Sequence, residues 1–258
     1  GFNEAFIIDS VKRDEILKTC QSIEERDRTA ELIRPILRGR DIKRYGYDWA
    51  NQYIVATFPS RHYNIDDYPA LKEFLLSFGT ERLEQTGKEY IIDGEKVKAR
   101  KKTNNKWFET QDSISYWDEF SKPKIIYPNM TKFLLFVYDT YGLVTNQKCF
   151  IITGKRLAFL TAFLNSSLFK FCFADKFPEL QGKTRELSKI FMDEIPVMEV
   201  SDDEEARFLL IVESTQKNIS REKLLDIDKA IFDLYQLSEE EREYIGFIDF
   251  GDMQSLAL

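Results

Sequence analysis

The sequence predicts an α+β fold, in which a mixed β-sheet domain with flanking helices is followed by a helical, acidic C-terminal appendage. An apolar fraction of 43%, with 14% aromatic residues, is sufficient for a packed core and excludes wholesale disorder. Short β-rich segments alternate with amphipathic helical segments up to residue 200, after which the pattern is helical only. We therefore predict two domains, residues 1–200 and residues 201–258.

Apolar periodicity and end signals predict the elements of the first hundred residues. The predicted strands are residues 5–9 and 52–58, and the predicted helices are residues 12–20, 22–34 and 68–83. Ser22 precedes Glu25 by three residues, which is the spacing of a helix capping box. Asp93 and Gly94 lie between apolar flanks and predict a two-residue hairpin turn.

The second half of the chain is predicted to contain a β-rich stretch and then helices. The predicted strands are residues 124–127, 133–138, 142–145 and 149–152. Residues 155–177 form the most apolar long segment, and because Asn165, Ser166, Ser167 and Lys170 interrupt it, we predict a core helix near residues 155–174 and no membrane span. Helices are also predicted over residues 203–217 and 220–235.

The formal net charge of −7 is unevenly distributed along the chain. Residues 1–200 carry 31 Lys and Arg against 29 Asp and Glu, a balance of +2, whereas residues 201–258 carry 6 against 15, a balance of −9. The acidity therefore belongs to the C-terminal part. The larger part is nearly neutral with concentrated basic segments, which is compatible with a nucleic-acid ligand.

The most basic segment, residues 96–106, contains six cationic side chains and no carboxylate. Such side chains can neutralise phosphates and release counterions. Asn104, Asn105 and Gln111 have the paired donors and acceptors that suit adenine edges, and Trp107 and Phe108 lie between them. A solvated surface loop is the alternative interpretation of the same pattern, and the residues alone leave both open.

The sequence lacks the patterns of several enzyme classes. Neither GxGxxG nor GxxxxGK[ST] occurs, so dinucleotide-binding and P-loop folds are not indicated. Asp41-Ile42-Lys43 is the nearest match to a nuclease acid-x-Lys pattern, and it is a weak one. His62 is the only histidine, and the three cysteines have no metal-ligand spacing, so we predict no metal site, no catalytic residue and free thiols.

Several segments, taken in order, resemble the TaqI-like C-terminal specificity domain of N6-adenine DNA methyltransferases and fused restriction-modification enzymes. The segments are GFNEAFIID (1–9), LIRPILRGRDIKRYGYDW (32–49), NKWFETQDSISYWDEFSKPKIIYPNM (105–130), VTNQKCFIITG (144–154), FLNSSLFKF (163–171), LQGKTRELSKIFMDEIPV (180–197) and IDKAIFDLYQLSEEEREYI (227–245). The methylation motifs of that family, a Gly-rich cofactor loop and an Asn-Pro-Pro-aromatic tetrapeptide, are absent from this sequence. Since the chain begins with Gly1 and not Met, we expect it to be part of a longer polypeptide.

The resemblance implies sequence-specific recognition of double-stranded DNA in a bacterial, cytoplasmic enzyme. It further implies an N-terminal methyltransferase domain on the same polypeptide, which would bind S-adenosylmethionine, whereas this chain itself would hold no cofactor and contact no membrane. The residues predicted to bind DNA are Arg38, Arg40, Lys43, Arg44, Lys98, Arg100, Lys101, Lys102, Asn104, Asn105, Lys106, Trp107, Gln111, Asn129, Lys132, Lys183, Arg185 and Lys189. Two alternatives stay open, a protein-interaction module and an endonuclease that uses the neighbourhood of Asp41.

Overall fold

The computed structural model describes residues 2–92 and 94–247, with the side chain of Lys183 left out. About 45% of the residues are helical and 19% lie in strands of several small sheets, which confirms the predicted α+β class. The helices, numbered along the chain, are α1 (Asn3–Phe6), α2 (Ser10–Thr19), α3 (Ile23–Leu32), α4 (Pro69–Leu76), α5 (Thr80–Leu83), α6 (Leu157–Leu164), α7 (Ser167–Phe173), α8 (Lys189–Met192), α9 (Asp202–Lys217), α10 (Arg221–Leu234) and α11 (Glu239–Ile245).

The strands are short. They are β1 (Ile7–Asp9), β2 (Ile33–Leu37), β3 (Ile42–Lys43), β4 (Gly46–Tyr47), β5 (Gln52–Val55), β6 (Glu89–Ile92), β7 (Glu95–Lys98), β8 (Lys124–Pro128), β9 (Met130–Thr131), β10 (Val137–Asp139), β11 (Val144–Thr145), β12 (Cys149–Thr153), β13 (Glu179–Leu180) and β14 (Thr184–Glu186).

The chain forms two compact units, and their boundaries differ from the predicted division at residue 200. Unit one consists of Gly1–Ile36 and Ala50–Trp117, and unit two consists of Leu37–Trp49 and Asp118–Leu258. In unit one β5 lies between β1 and β2, with Ile54 opposite Ile7 and Val55 opposite Ile33. Helices α2 to α5 pack their apolar side chains around Phe6, Leu71 and Leu75 to form the core of this unit.

The core of unit two lies against a three-stranded antiparallel sheet. Strand β8 is its central strand, between β10 and β12, and all five of its residues are buried. Ile126 lies opposite both Val137 and Ile151 in the register. Helices α6 and α7 supply an aromatic cluster that includes Phe159, Phe163 and Phe169.

A fully buried ion pair lies at one end of this sheet. The Lys124 ammonium bonds the carboxylate of Asp139 and, at 2.7 Å, the carbonyl of Phe120, and both charged side chains have no exposed surface. The Asp139 carboxylate also accepts the backbone N–H groups of Tyr141 at 2.9 Å and Leu143 at 3.0 Å. Asp139 therefore fixes the turn between β10 and β11 through the two N–H groups, and Lys124 balances its buried charge.

The acidic tail is an integral part of unit two. Glu205 of α9 accepts the N–H groups of Ala158 and Phe159, both at 2.9 Å, at the N-terminus of α6. Asp228 of α10 does the same for α7, accepting from the N–H of Ser167 at 2.8 Å and from its hydroxyl at 2.6 Å. Carboxylates at helix N-termini satisfy amides that have no partner within the helix and oppose the positive end of the dipole. Glu205 and Asp228 therefore have a structural role, because each caps the N-terminus of a helix in unit two.

Two long helices predicted from the sequence are each divided in the structure. The helix predicted over 155–174 breaks at Asn165, whose side chain bonds the carbonyl of Phe136 at 2.8 Å and its N–H at 3.2 Å, and Ser166 then caps α7. The helix predicted over 68–83 breaks at Gly79, which has a φ of +83° and separates α4 from α5. The predicted cap at Ser22 is confirmed, since its hydroxyl accepts the N–H of Glu25 at 3.1 Å.

Most predicted strands are present with shorter bounds. The strand predicted over 5–9 begins only at Ile7, after α1, and the strand predicted over 133–138 is reduced to β10. Strands β6 and β7 form the predicted hairpin, with Ile92 opposite Glu95, although Asp93 of its turn lies outside the described residues. Within the described residues no single helix is long and apolar enough to cross a membrane, and one bent pair, 157–164 with 167–176, meets those criteria only jointly.

Candidate nucleic-acid interface

The basic segment of unit one begins on the β6–β7 hairpin. Along β7, Val97 is buried whereas Lys96 and Lys98 are exposed, as the alternation of side chains in a strand requires. Lys98 lies opposite Glu89 in the register, so an acidic residue faces it across the hairpin. The chain then leaves the hairpin and forms a loop over residues 99–113 that has no regular secondary structure.

Arg100 holds this loop together from inside. Its guanidinium donates to the carbonyls of Leu83 at 2.7 Å, Glu109 at 2.8 Å and Trp107 at 2.5 Å, and lies 4.8 Å from the ring centre of Phe6. Only 5% of the residue is exposed. Burial lowers the pKa of Arg100 to about 10, so the group remains charged at neutral pH. The interpretation of Arg100 as a DNA-facing cation is therefore not supported by its position, and we assign it a structural role.

Further polar side chains fix the same loop. Gln85, which is buried, donates from its amide to the carbonyls of Lys106 at 3.1 Å and Glu109 at 3.0 Å. Thr57 donates to the carbonyl of Phe108 at 2.6 Å. Asn105 donates to two more carbonyls, those of residues 110 and 111, so its amide N–H groups are used within the loop and are not available to read a base.

The loop leaves its remaining cations in solvent. Lys101, Lys102, Asn104 and Lys106 are exposed, and Gln111 is partly exposed. Trp107 is also only partly exposed, since its ring packs edge-on against Phe108 at 5.5 Å and contributes to the core of unit one. Among the described residues, no carboxylate lies within ion-pair distance of Lys96, Lys98, Lys101 or Lys102.

The second basic segment, residues 38–44, lies in unit two and also contains both internally bonded cations and an exposed cation. Arg38 binds the carboxylate of Asp41 with two parallel hydrogen bonds of 2.7 and 2.8 Å, and this contact raises the pKa of Arg38. Arg44 is buried, with its Nε 3.4 Å from the carbonyl of Leu134. Arg40 is exposed, and Lys43 forms a 3.4 Å ion pair with Asp48. Of the four predicted cations, Arg40 is therefore the one that faces solvent most fully.

The endonuclease alternative depends on the carboxylate of Asp41, but in the structure this carboxylate is bonded to Arg38. The carboxylate is 7% exposed, and its oxygen also accepts the backbone N–H of Arg38 at 3.2 Å. Lys43, the other half of the nuclease-like pattern, pairs with Asp48. In the part of the chain that the structure describes, no group of three or more His, Cys, Asp or Glu side chains is arranged to hold a metal ion.

An open pocket of about 330 Å³ lies beside Arg40 in unit two. Its lining residues are Gly39, Arg40, Ile42, Lys43, Pro128, Asn129, Met130, Thr131, Phe133, Leu135 and Lys148. Three residues predicted from the sequence, Arg40, Lys43 and Asn129, thus share one site, and the exposed Lys132 adjoins it in the chain. Lys148 was not predicted, because only the pairing of β12 with β8 brings it next to Asn129.

The third basic segment is largely neutralised by its own carboxylates. Arg185 lies 3.0 Å from Asp175 and 3.8 Å from Glu179, and it also donates to the carbonyl of Phe177 at 2.9 Å. Lys189 pairs with Asp193 one helical turn away. The prediction for the Lys183 side chain lies outside the described side chains. These cations are less suited to phosphate contacts than those of the loop over residues 99–113.

Comparison with known proteins gives a family and a fold. The family model of the TaqI-like C-terminal specificity domain matches residues 34–197, which confirms the resemblance seen in the sequence. A solved structure, described as the type IIG restriction endonuclease BpuSI, is similar with a TM-score of 0.53 at 12% identity. The likeness covers 99% of this chain and 28% of that chain, so this chain spans under a third of that protein. No curated protein matches the sequence.

Proposed function

We propose that this chain, which belongs to the TaqI-like C-terminal specificity domain family, recognises a specific sequence in double-stranded DNA. It would do so as the target-recognition part of a restriction-modification enzyme. The structural likeness to a type IIG restriction endonuclease supports this proposal at the level of the fold.

The observation that carries the proposal is the braced loop over residues 99–113. The side chains of Arg100, Gln85 and Asn105 donate hydrogen bonds to carbonyls of the loop, whereas Lys101 and Lys102 are exposed to solvent. A loop held in one conformation loses little entropy when it binds, so more of the phosphate attraction appears as affinity. Phosphate contacts of this kind fix the position of a protein on the duplex without reading its sequence.

Base reading requires other groups. Asn104 is exposed and Gln111 is partly exposed, and an amide can pair with the N6 and N7 edge of adenine. Asn129 offers the same chemistry at the pocket of unit two. We therefore place base contacts at these amides and not at Asn105.

The chemistry of methyl transfer would reside outside this chain. In the proposed enzyme an N-terminal methyltransferase domain of the same polypeptide binds S-adenosylmethionine and modifies a flipped adenine. An enzyme that extrudes a base must hold the duplex on both sides of that base, and a separate recognition domain can provide part of this contact. A cytoplasmic location is a prediction that follows from this role.

The proposal is tested by the salt dependence of binding to random duplex DNA. We expect Lys98→Ala/Lys101→Ala/Lys102→Ala to weaken binding and to flatten the plot of log affinity against log salt, because each lost phosphate contact reduces the slope by about 0.9. Three contacts would remove roughly 2.7 units. Fluorescence anisotropy of a labelled duplex at several salt concentrations measures both quantities.

The matched control removes three other exposed cations, Arg207, Lys217 and Lys229, which lie on the acidic helices α9 and α10. Both triple variants change the net charge equally, so a general charge effect would appear in both. Equal slopes for the two variants would mean that the loop is only a solvated surface, and the proposed function would lose its main support.

A further inference from the structure

The pocket of unit two has an apolar lining and a polar lining. The apolar lining includes the buried Ile42 and Pro128 and the partly exposed Phe133. The polar lining includes Arg40, Asn129 and Lys148, and none of the lining residues, all of them described, is acidic. Within the described part of the chain, the side chains of Arg40, Asn129 and Lys148 have no hydrogen-bond or ion-pair partner.

Backbone contacts hold the segments of the polar lining together. A Cβ atom at Gly39 would lie 2.8 Å from the carbonyl oxygen of Lys148, so glycine allows the two segments to approach this closely. The same carbonyl accepts the N–H of Asn129 at 2.9 Å, and the carbonyl of Asn129 accepts the N–H of Leu187 at 2.9 Å. The segments that carry the three polar side chains are therefore held in place before any ligand binds.

We propose that this pocket receives one unstacked nucleotide of a DNA strand. The base would lie against Phe133 and Pro128, with its edge toward the amide of Asn129, and the phosphate would lie between Arg40 and Lys148. The inference rests on the proposed function and adds to it that one nucleotide of the DNA binds in this pocket.

Two properties of the pocket, and one of the proposed reaction, favour a nucleotide over a phosphate alone. Its volume of about 330 Å³ is at the lower end of the roughly 300–1,000 Å³ of small-molecule pockets, which suits a single base with its backbone group. It has an apolar lining that includes Phe133, and any base can stack on an aromatic ring, whereas a phosphate alone would make no favourable contact with apolar side chains. Base flipping also leaves the opposite base without its partner, so an unpaired nucleotide is available in the proposed complex.

The test compares two labelled duplexes of equal sequence, one perfectly paired and one with a single additional unpaired thymidine. We expect the intact chain to prefer the duplex with the unpaired thymidine. Phe133→Ala should reduce that preference on the order of tenfold, because a stacked base is lost, and should weaken binding to the perfect duplex by much less. Phe171→Ala, which removes an exposed phenylalanine of unit two that lies outside the pocket lining, should behave like the native chain.

The outcomes separate this inference from the proposed function. If the intact chain binds both duplexes equally, or if Phe133→Ala keeps the preference, the pocket does not hold a base, although DNA recognition stands. If the chain binds neither duplex, the proposed function itself fails. Thermal melting checks that each variant is folded. If Phe133→Ala melts early, Phe133→Leu replaces it, because leucine keeps apolar volume without a flat ring. Phe133→Leu should also lose the preference for the unpaired thymidine.

Discussion

Adjacent residues of the basic loop should respond to mutation in opposite ways. Arg100 is 5% exposed and donates to three loop and helix carbonyls, whereas Lys101 beside it is exposed. The change Arg100→Met keeps much of the apolar side-chain length and removes every donor. Lys101→Met makes the same kind of change one residue further along.

The magnitude follows from the bonds that are lost. A hydrogen bond to a charged group contributes about 1.5–3 kcal/mol, so three independent bonds would give roughly 4.5–9 kcal/mol. The full sum is not expected, because an opened loop returns its carbonyls to water. We therefore expect Arg100→Met to lower the free energy of unfolding by about 3 kcal/mol, near the lower bound for two such bonds. An exposed lysine such as Lys101 should change it by about 0.5 kcal/mol or less.

Urea unfolding of the whole chain, monitored by tryptophan fluorescence, measures both changes in free energy. Trp107 lies in the braced loop and Trp117 lies at the end of unit one, so the signal reports on this unit. Hydrogen exchange adds a local test, because the N–H of Thr110 is bonded to the carbonyl of Thr57 at 2.9 Å and should exchange faster only in the Arg100 variant. Equal stabilities for Arg100→Met and Lys101→Met would refute the role of Arg100 as an internal brace.

Two further predictions concern the interior of unit two and the thiols. Lys124→Met should lower the free energy of unfolding by about 3–5 kcal/mol, because it leaves the buried carboxylate of Asp139 without its partner. The exposed Lys122, which also forms an ion pair, is the control and should change stability by about 1 kcal/mol or less; similar losses for the two variants in urea unfolding would contradict the assignment. All three cysteines are free thiols, and burial raises the pKa of Cys149 to about 12. Iodoacetamide at neutral pH should therefore label the exposed Cys172 first and Cys149 only after unfolding. Mass spectrometry of timed samples measures this order. Early labelling of Cys149 in the native protein would show that its strand is not held as described.

Sequence patterns identified local features well. The cap at Ser22 and the β6–β7 hairpin depend on residues within a few positions of each other, and both are present. The segment 155–174 was predicted as one helix because it is mostly apolar, but its break depends on Asn165 bonding the backbone of Phe136, twenty-nine positions away. A long-range contact of this kind leaves no periodic signal in the sequence.

The candidate site shows the same division between local and long-range information. The sequence identified the basic segments, but it could not distinguish Arg100 from Lys101, because the carbonyls that bury Arg100 come from Leu83, Trp107 and Glu109. The tail was predicted as a separate acidic appendage, and nothing in its local pattern indicates that Glu205 caps a helix of the same unit.

In the basic segments 96–106 and 38–44, an arginine whose guanidinium is hydrogen-bonded within the chain precedes a cation that faces solvent. Arg100 lies next to Lys101, and Arg38 lies two residues before Arg40. Arginine suits the bracing position because its planar group offers five N–H donors in a fixed geometry, whereas lysine presents a compact charge on a flexible stem. A lysine at position 100 would therefore keep the charge of the segment and still fail to reach three carbonyls at once. If the exposed cations bind phosphates, such a change would weaken DNA binding by disordering the loop, even though the number of positive charges stays the same.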